Sequence, residues 1–155
     1  MANRTTIYHP NSKGTGMALA LELYPATPEV PGQLKLEFAR QVSPEGATFP
    51  RFDWENRRIF LLSPKEVEKV LEVFNGYTES IEDGKGIFAR TPTKAVALRL
   101  RHVVDPVPAY ELQLAVREVG DAATDDVRNI NLTPTEAMML YHALTAAMGV
   151  LVFGL

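Results

Sequence analysis

Two helix-start signatures seventy positions apart constrain this chain more than any other feature. Ser63-Pro64-Lys65-Glu66 and Thr133-Pro134-Thr135-Glu136 each put a hydroxyl at an N-cap, proline at the first helical position and glutamate at the third. The register holds upstream. Arg58, Phe60 and Leu62 match Arg128, Ile130 and Leu132, an alternation that runs directly into each helix. Met17-Ala18-Leu19-Ala20-Leu21 lines up with Val96-Ala97-Leu98-Arg99-Leu100, and Leu34-Lys35-Leu36 with Leu112-Gln113-Leu114. Each half therefore reads as several strands followed by one helix. The repeats span about 5–76 and 85–155 of a single 155-residue domain.

The strands have period two. Leu34, Leu36 and Phe38 alternate with Lys35, Glu37 and Ala39; Leu98 and Leu100 alternate with Arg99 and Arg101; Leu112, Leu114 and Val116 alternate with Glu111, Gln113 and Ala115. One polar and one apolar face means antiparallel strands covered on one side. Proline and glycine fall between them, as in residues 25–32 and 105–108. The first helix is predicted from about Pro64 to Phe74, with Val67, Val70, Leu71 and Phe74 on one face and Asn75-Gly76 ending it. The second starts at about Pro134 and is apolar on nearly all sides, more than one sheet can cover, which points to a subunit interface. The architecture is α+β: two antiparallel sheets, each with a helix, related by internal pseudo-symmetry.

Ala137 to Leu155 carries no formal charge over nineteen residues, just enough to span a bilayer. It also holds Tyr141, His142, Thr145 and two glycines, and has no Lys or Arg flank, so a buried or oligomer-forming helix is the better reading. Met1 to Pro10 is polar with no apolar stretch, so no secretory signal and a cytoplasmic location are expected, nucleoid-associated if DNA is the partner.

Sixteen basic and nineteen acidic residues leave −3 and a pI near 5.6, so binding of nucleic acid by bulk charge is excluded. The charge is segregated, however. Residues 85–104 carry Lys85, Arg90, Lys94, Arg99 and Arg101 with no acid, while residues 64–84 and 105–126 are acidic. Arg99 and Arg101 point the same way from one strand. Arg51, Arg57 and Arg58 are interleaved with Phe49, Phe52 and Trp54. Cations mixed with flat rings suit unpaired nucleic acid, whose phosphates need charge and whose bases need surfaces to stack on. The same pattern also fits a solvated sheet face with ordinary ion pairs to Glu22, Glu37 and Glu111.

Catalytic patterns are weak. No cysteine is present, which removes thiolate zinc sites and cysteine catalysis. His9, His102 and His142 have no metal-ligand spacing. No nucleophile elbow occurs. Asn11-Ser12-Lys13-Gly14-Thr15-Gly16 puts its lysine before the glycines and leads into a strand, so it reads as a flexible strand entry, not a phosphate loop. Neither an enzyme, a metal nor a cofactor is expected.

Four stretches in order resemble the Whirly family of single-stranded DNA-binding proteins and its wider fold superfamily. Lys13-Gly14-Thr15-Gly16-Met17-Ala18-Leu19 is similar to the family's Lys-Gly-Lys-Ala-Ala-Leu signature, without its second lysine. Phe52 to Ser63 resembles its Tyr-Asp-Trp segment, with Phe52 in the tyrosine's place. Lys94 to Arg101 resembles the basic strand opening the second half, and Asn131 to Glu136 with the apolar tail resembles the final strand and helix. The resemblance implies two roughly perpendicular four-stranded antiparallel sheets with two helices, four subunits joined through the helices, and single-stranded DNA along the sheet faces. The expected function is single-stranded DNA binding with little sequence specificity, in the setting of transcription regulation. On this reading Lys13, Lys35, Arg57, Lys94, Arg99 and Arg101 meet phosphates, and Phe52 and Trp54 are candidates to contact bases. Trp54 reads equally as a core anchor, and Phe38, sharing parity with Leu34 and Leu36, reads as core. The acids are expected on helix one and residues 105–126, away from the binding faces. An RNA-binding or annealing protein on the same fold, or a structural homo-oligomer without nucleic acid, remain the alternatives; the last predicts that Glu111 and its neighbours satisfy Arg99 and Arg101.

Overall fold

The computed structural model describes residues 3–43, 48–118 and 125–155. Strands β1 (Arg4–His9), β2 (Met17–Tyr24), β3 (Gln33–Arg40) and β4 (Arg58–Leu62) lead into helix α1 (Pro64–Phe74). Strands β5 (Ile87–Arg90), β6 (Lys94–Val103), β7 (Ala109–Glu118) and β8 (Asp125–Leu132) lead into helix α2 (Pro134–Phe153). Each set of four strands forms one antiparallel sheet in sequential order, so the ββββα repeat is real. Sheet 1 denotes β1–β4 and sheet 2 denotes β5–β8.

The ladders refine the repeat. Tyr8, Ala18 and Ala39 lie in one row across β1, β2 and β3; Phe88, Ala97 and Ala115 lie in the matching row across β5, β6 and β7. Leu36 faces Phe60, and Leu112 faces Ile130. The counterpart of Leu112-Gln113-Leu114 is therefore Leu36-Glu37-Phe38, two residues beyond the segment that sequence comparison selects. A slip of two leaves every side chain on its face, so alternation alone does not detect it.

One face of each sheet is core. Leu19, Leu34, Leu36, Phe38, Phe60 and Leu62 are buried in sheet 1, and Leu98, Leu100, Leu112, Leu114, Ile130 and Leu132 in sheet 2. Phe38 is thus core, as its parity requires.

The packing units are not the sequence repeats. One unit comprises Met1–Pro64 with Gly149–Leu155, the other Lys65–Met148. In the first, the last turn of α2 is stitched to the β2–β3 connection: the Val150 and Leu151 carbonyls accept from the Ala26 and Gly32 N–H groups, each at 3.1 Å. A Cβ at position 32 would strike the Leu151 backbone, so this close approach needs glycine. In the second, Phe74 at the end of α1 meets Tyr110 of β7 edge-on at 5.4 Å, and the His102 N–H donates to the Glu79 carbonyl at 2.8 Å. The helix that ends the first half thus packs with the second sheet, and the final turn of the chain packs with the first.

Both helices keep their expected ends. α1 buries Val67, Val70, Leu71, Val73 and Phe74 and stops at Gly76, whose φ of +83° ends the helix. At α2 the Glu136 N–H donates to the Thr133 Oγ1 at 3.1 Å, and the Thr133 N–H donates back to the Glu136 carboxylate at 2.9 Å. α2 buries a stripe of Ala137, Leu140, Leu144, Ala147 and Leu151, while Met138, Met139, Val152 and Phe153 are exposed. By length and composition alone it could also cross a bilayer.

Candidate nucleic-acid interface

The solvent-facing side of each sheet is where the predicted binding residues gather. On sheet 1 the centre is Glu37, a carboxylate with only 2% of its surface exposed. Three cations converge on it: Arg4 at 2.8 Å, Lys35 at 3.1 Å and Arg57 at 3.4 Å. Burial pushes the Glu37 carboxyl up, but hydrogen bonds from Lys35 and Arg4 outweigh it and hold the group below its ordinary range. Lys35 also reaches Glu22 at 3.3 Å and lies 5.3 Å from the centre of the Tyr24 ring. Its ammonium is held well above the usual lysine range by Tyr24 first and Glu37 next.

Aromatic rings border this network. The Arg4 guanidinium lies 5.4 Å from the Trp54 ring centre, a cation–π contact. Tyr8 and Phe52 pack with ring centres 5.5 Å apart. A turn built on Asp53 sets the Trp54 segment: Asp53 accepts from the Asn56 backbone at 3.3 Å and side-chain amide at 2.7 Å, and Arg57 donates to the Trp54 carbonyl at 2.7 Å. Trp54 and Phe52 are half-buried, Tyr8, Ile59 and Leu61 exposed. Trp54 therefore stands at the edge of the outer face, not in the core.

Sheet 2 presents a different surface. Ala95, Ala97 and Ala115 form a shallow floor, bordered by Phe88, Arg90, Arg99 and Arg117 in a cavity of about 500 Å³. Arg117 holds Asp125 in a two-pronged pair at 2.9 and 3.3 Å, which draws the Asp125 carboxyl below its ordinary range. Arg101 holds Glu111 likewise, with both bonds at 3.2 Å, and Arg99 donates to Gln113 at 3.4 Å. Arg90 has no ion-pair partner among the described residues.

The predicted residues are thus only partly brought together. Lys35, Arg57, Phe52 and Trp54 share the outer side of sheet 1; Arg99 and Arg101 share that of sheet 2. Lys94 has the opposite parity on β6 and belongs to the other side, in register with Glu118. Lys13 is exposed on the β1–β2 turn. That turn is braced, not a loose strand entry: the Gln41 side chain accepts from the Asn11 and Gly16 N–H groups at 2.9 and 3.1 Å, and Asn11 accepts from the Thr15 N–H at 2.9 Å. The expectation that acids avoid these faces is corrected by Glu22, Glu37, Glu111 and Asp125, which all pair with cations on them. Sequence reading missed Arg4, Tyr8, Phe88 and Arg117. Arg4 and Tyr8 lie on a strand with little apolar alternation, and Phe88 and Arg117 become neighbours only through the ladder register. Among the described residues no cluster of three His, Asp or Glu could hold a metal ion.

No family model matches the chain, and no curated protein does. Solved structures do. WHY1 from Arabidopsis thaliana superposes with a TM-score of 0.75 at 20% identity, covering 99% of this chain and 87% of that one. The fold is Whirly-like. The plant transcriptional regulator PBF-2 gives a TM-score of 0.73 at 20% identity over 97% of this chain and 82% of its own. A trypanosome MRP1/MRP2 structure gives 0.61 at 14% identity over 96% and 92%. The Whirly-like frame covers both sheets and both helices, and the chemistry on it is this chain's own.

Proposed function

We propose that this Whirly-like chain binds single-stranded DNA with little sequence preference, without turnover, through the outer faces of its two sheets. The observation that carries the reading is the pairing of cations with exposed or half-exposed rings on those faces: Lys35, Arg57, Phe52 and Trp54 on sheet 1, and Arg99 beside Phe88 on sheet 2, with Arg101 further along the same strand face. Lys13 extends the first face from its braced turn, and Lys94, on the opposite side of β6, takes no part in the outer face. Stacking is tolerant of sequence because every base has a flat face, and phosphate contacts make binding depend on salt. The exposed apolar sides of α2 support assembly into a homo-oligomer, a tetramer by analogy with the resemblance, in which one strand reaches several copies and gains effective concentration.

One observation favours the purely structural alternative, since Glu111 does satisfy Arg101 as that reading expects. The pair is solvent-exposed, however, and such pairs are worth about 0–1 kcal/mol, so an incoming phosphate can replace the carboxylate. The test is fluorescence anisotropy with a labelled thirty-base single strand against duplex DNA and RNA of equal length at two salt concentrations. Tight, salt-sensitive binding that prefers the DNA single strand is expected. Preference for RNA moves the function to the RNA alternative, and no binding to any of them at low salt leaves the structural oligomer.

A further inference from the structure

We propose that the outer face of sheet 2 contains a seat for one nucleotide, with Phe88 as the platform for its base and Arg90, Arg99 and Arg117 around its phosphate. The proposal rests on the single-strand reading above. Its strongest support is internal, because the repeat gives the same position twice. In sheet 1 the row Tyr8, Ala18, Ala39 carries an aromatic ring at one end and two alanines beside it. There the chain supplies an occupant of its own: Phe52, bridged to Gln41 just beyond β3, packs on Tyr8, and Ala18 and Ala39 are left with no exposed surface. In sheet 2 the equivalent row is Phe88, Ala97, Ala115. No ring covers it among the described residues, Phe88 is 65% exposed, and the alanines become the floor of a cavity of about 500 Å³. The group beside the row in sheet 1 is an aromatic ring, tilted 47° against Tyr8, and a base offers a ring of comparable breadth.

The border decides which flat molecule enters. Three guanidinium groups and one carboxylate line the seat, leaving a positive excess that suits a phosphate attached to the base. Gly86 leaves room beside Arg99: a Cβ there, at φ +84°, would strike the Leu98 backbone and come within 2.8 Å of the Arg99 Cγ. The volume falls within the roughly 300–1,000 Å³ of small-ligand sites, enough for one nucleotide. Asp125 closes one edge by holding Arg117, so it competes with the phosphate for the same guanidinium.

The test compares variants by anisotropy with a labelled oligothymidylate, and maps photo-crosslinks from an iodouracil-substituted strand. Phe88→Ala should weaken binding about tenfold, the range of one lost base stack. Ala97→Leu, which raises the floor, should weaken it similarly by a different route. Asp125→Asn should tighten binding a few-fold, and crosslinks should map to β5. Unchanged affinity in both Phe88→Ala and Ala97→Leu, with crosslinks elsewhere, overturns the seat while the single-strand reading stands. No binding by the unaltered protein at low salt overturns both.

Discussion

Sheets 1 and 2 share a topology and a register yet fill their outer faces in opposite ways. Sheet 1 closes on itself. Its cations are drawn onto one buried carboxylate, and its rings pack on each other or under Arg4. Sheet 2 stays open, with its cations in solvent-facing pairs along the ladder and a shallow alanine floor of which Ala95 and Ala115 are partly exposed. The difference lies in two facing pairs: Arg99 opposite Gln113 and Arg101 opposite Glu111 stand where sheet 1 has Ala20 opposite Glu37 and Glu22 opposite Lys35. A duplicated scaffold can thus give one copy to holding its own surface together and leave the other free for a charged partner.

The largest expected effect comes from erasing the β6 side of that difference. Arg99→Ala with Arg101→Glu gives β6 the residues β2 carries at the same places. Loss of two phosphate contacts and gain of an acid should lower single-strand affinity roughly a hundredfold, or about 3 kcal/mol, and flatten its salt dependence. Both positions face solvent, so the oligomer seen by size exclusion should not change. Retained affinity would remove sheet 2 from the binding surface.

Next in size is Glu37→Ala. It leaves Arg4, Lys35 and Arg57 facing one another without their shared counter-charge. Removing one partner of a buried pair costs about 3–5 kcal/mol; here the cations are partly exposed and can be rehydrated, so about 2–3 kcal/mol is expected. Urea unfolding followed by fluorescence reads this directly, because the chain's single tryptophan, Trp54, lies under Arg4. A loss below about 1 kcal/mol would show that sheet 1 does not depend on its network.

How much of this contrast was legible in the sequence follows from what each signal encodes. Capping boxes and alternation are local, so the helix starts at Pro64 and Pro134 and the core placement of Phe38 were readable from residues alone. The repeat exposed the ββββα plan for the same reason. Ladder register is not local: the two-residue slip at β3 and β7 conserves every parity, and only pairing reveals it. The seat on sheet 2 was hidden because Phe88, Ala97 and Arg117 come from three strands. Glu37 reads as one polar residue of an alternating strand; nothing in the sequence marks it as the point where Arg4 and Arg57, thirty-three residues before and twenty after, converge. Lys94 shows the converse, since belonging to a basic run does not put a residue on the basic face.

Acid should act on the two faces unequally. The Glu37 carboxyl lies below its ordinary value of 4.5 in the folded chain, so its ion pairs stabilise fully above that pH and are lost as pH falls through the lower folded value. Asp125 shifts in the same direction, but it is exposed and its pair carries little stability. Trp54 fluorescence should therefore hold steady down to about pH 4.5 and change only below it, and Glu37→Gln should flatten that limb. An identical acid limb in the variant would break the link between Glu37 and the stability of sheet 1.

The smallest effect sharpens the comparison from the side of sheet 2. Glu111 is bound to Arg101 by two hydrogen bonds, yet both side chains reach solvent, 61% exposed for Arg101 and 26% for Glu111. Glu111→Gln should change unfolding free energy by less than about 1 kcal/mol, far below the Glu37 variant. It should instead tighten single-strand binding a few-fold, because it removes a carboxylate that competes with phosphate for Arg101. A large stability loss with no gain in affinity would mean that sheet 2, like sheet 1, uses its arginines to hold itself together, and the contrast between the two faces would be one of degree.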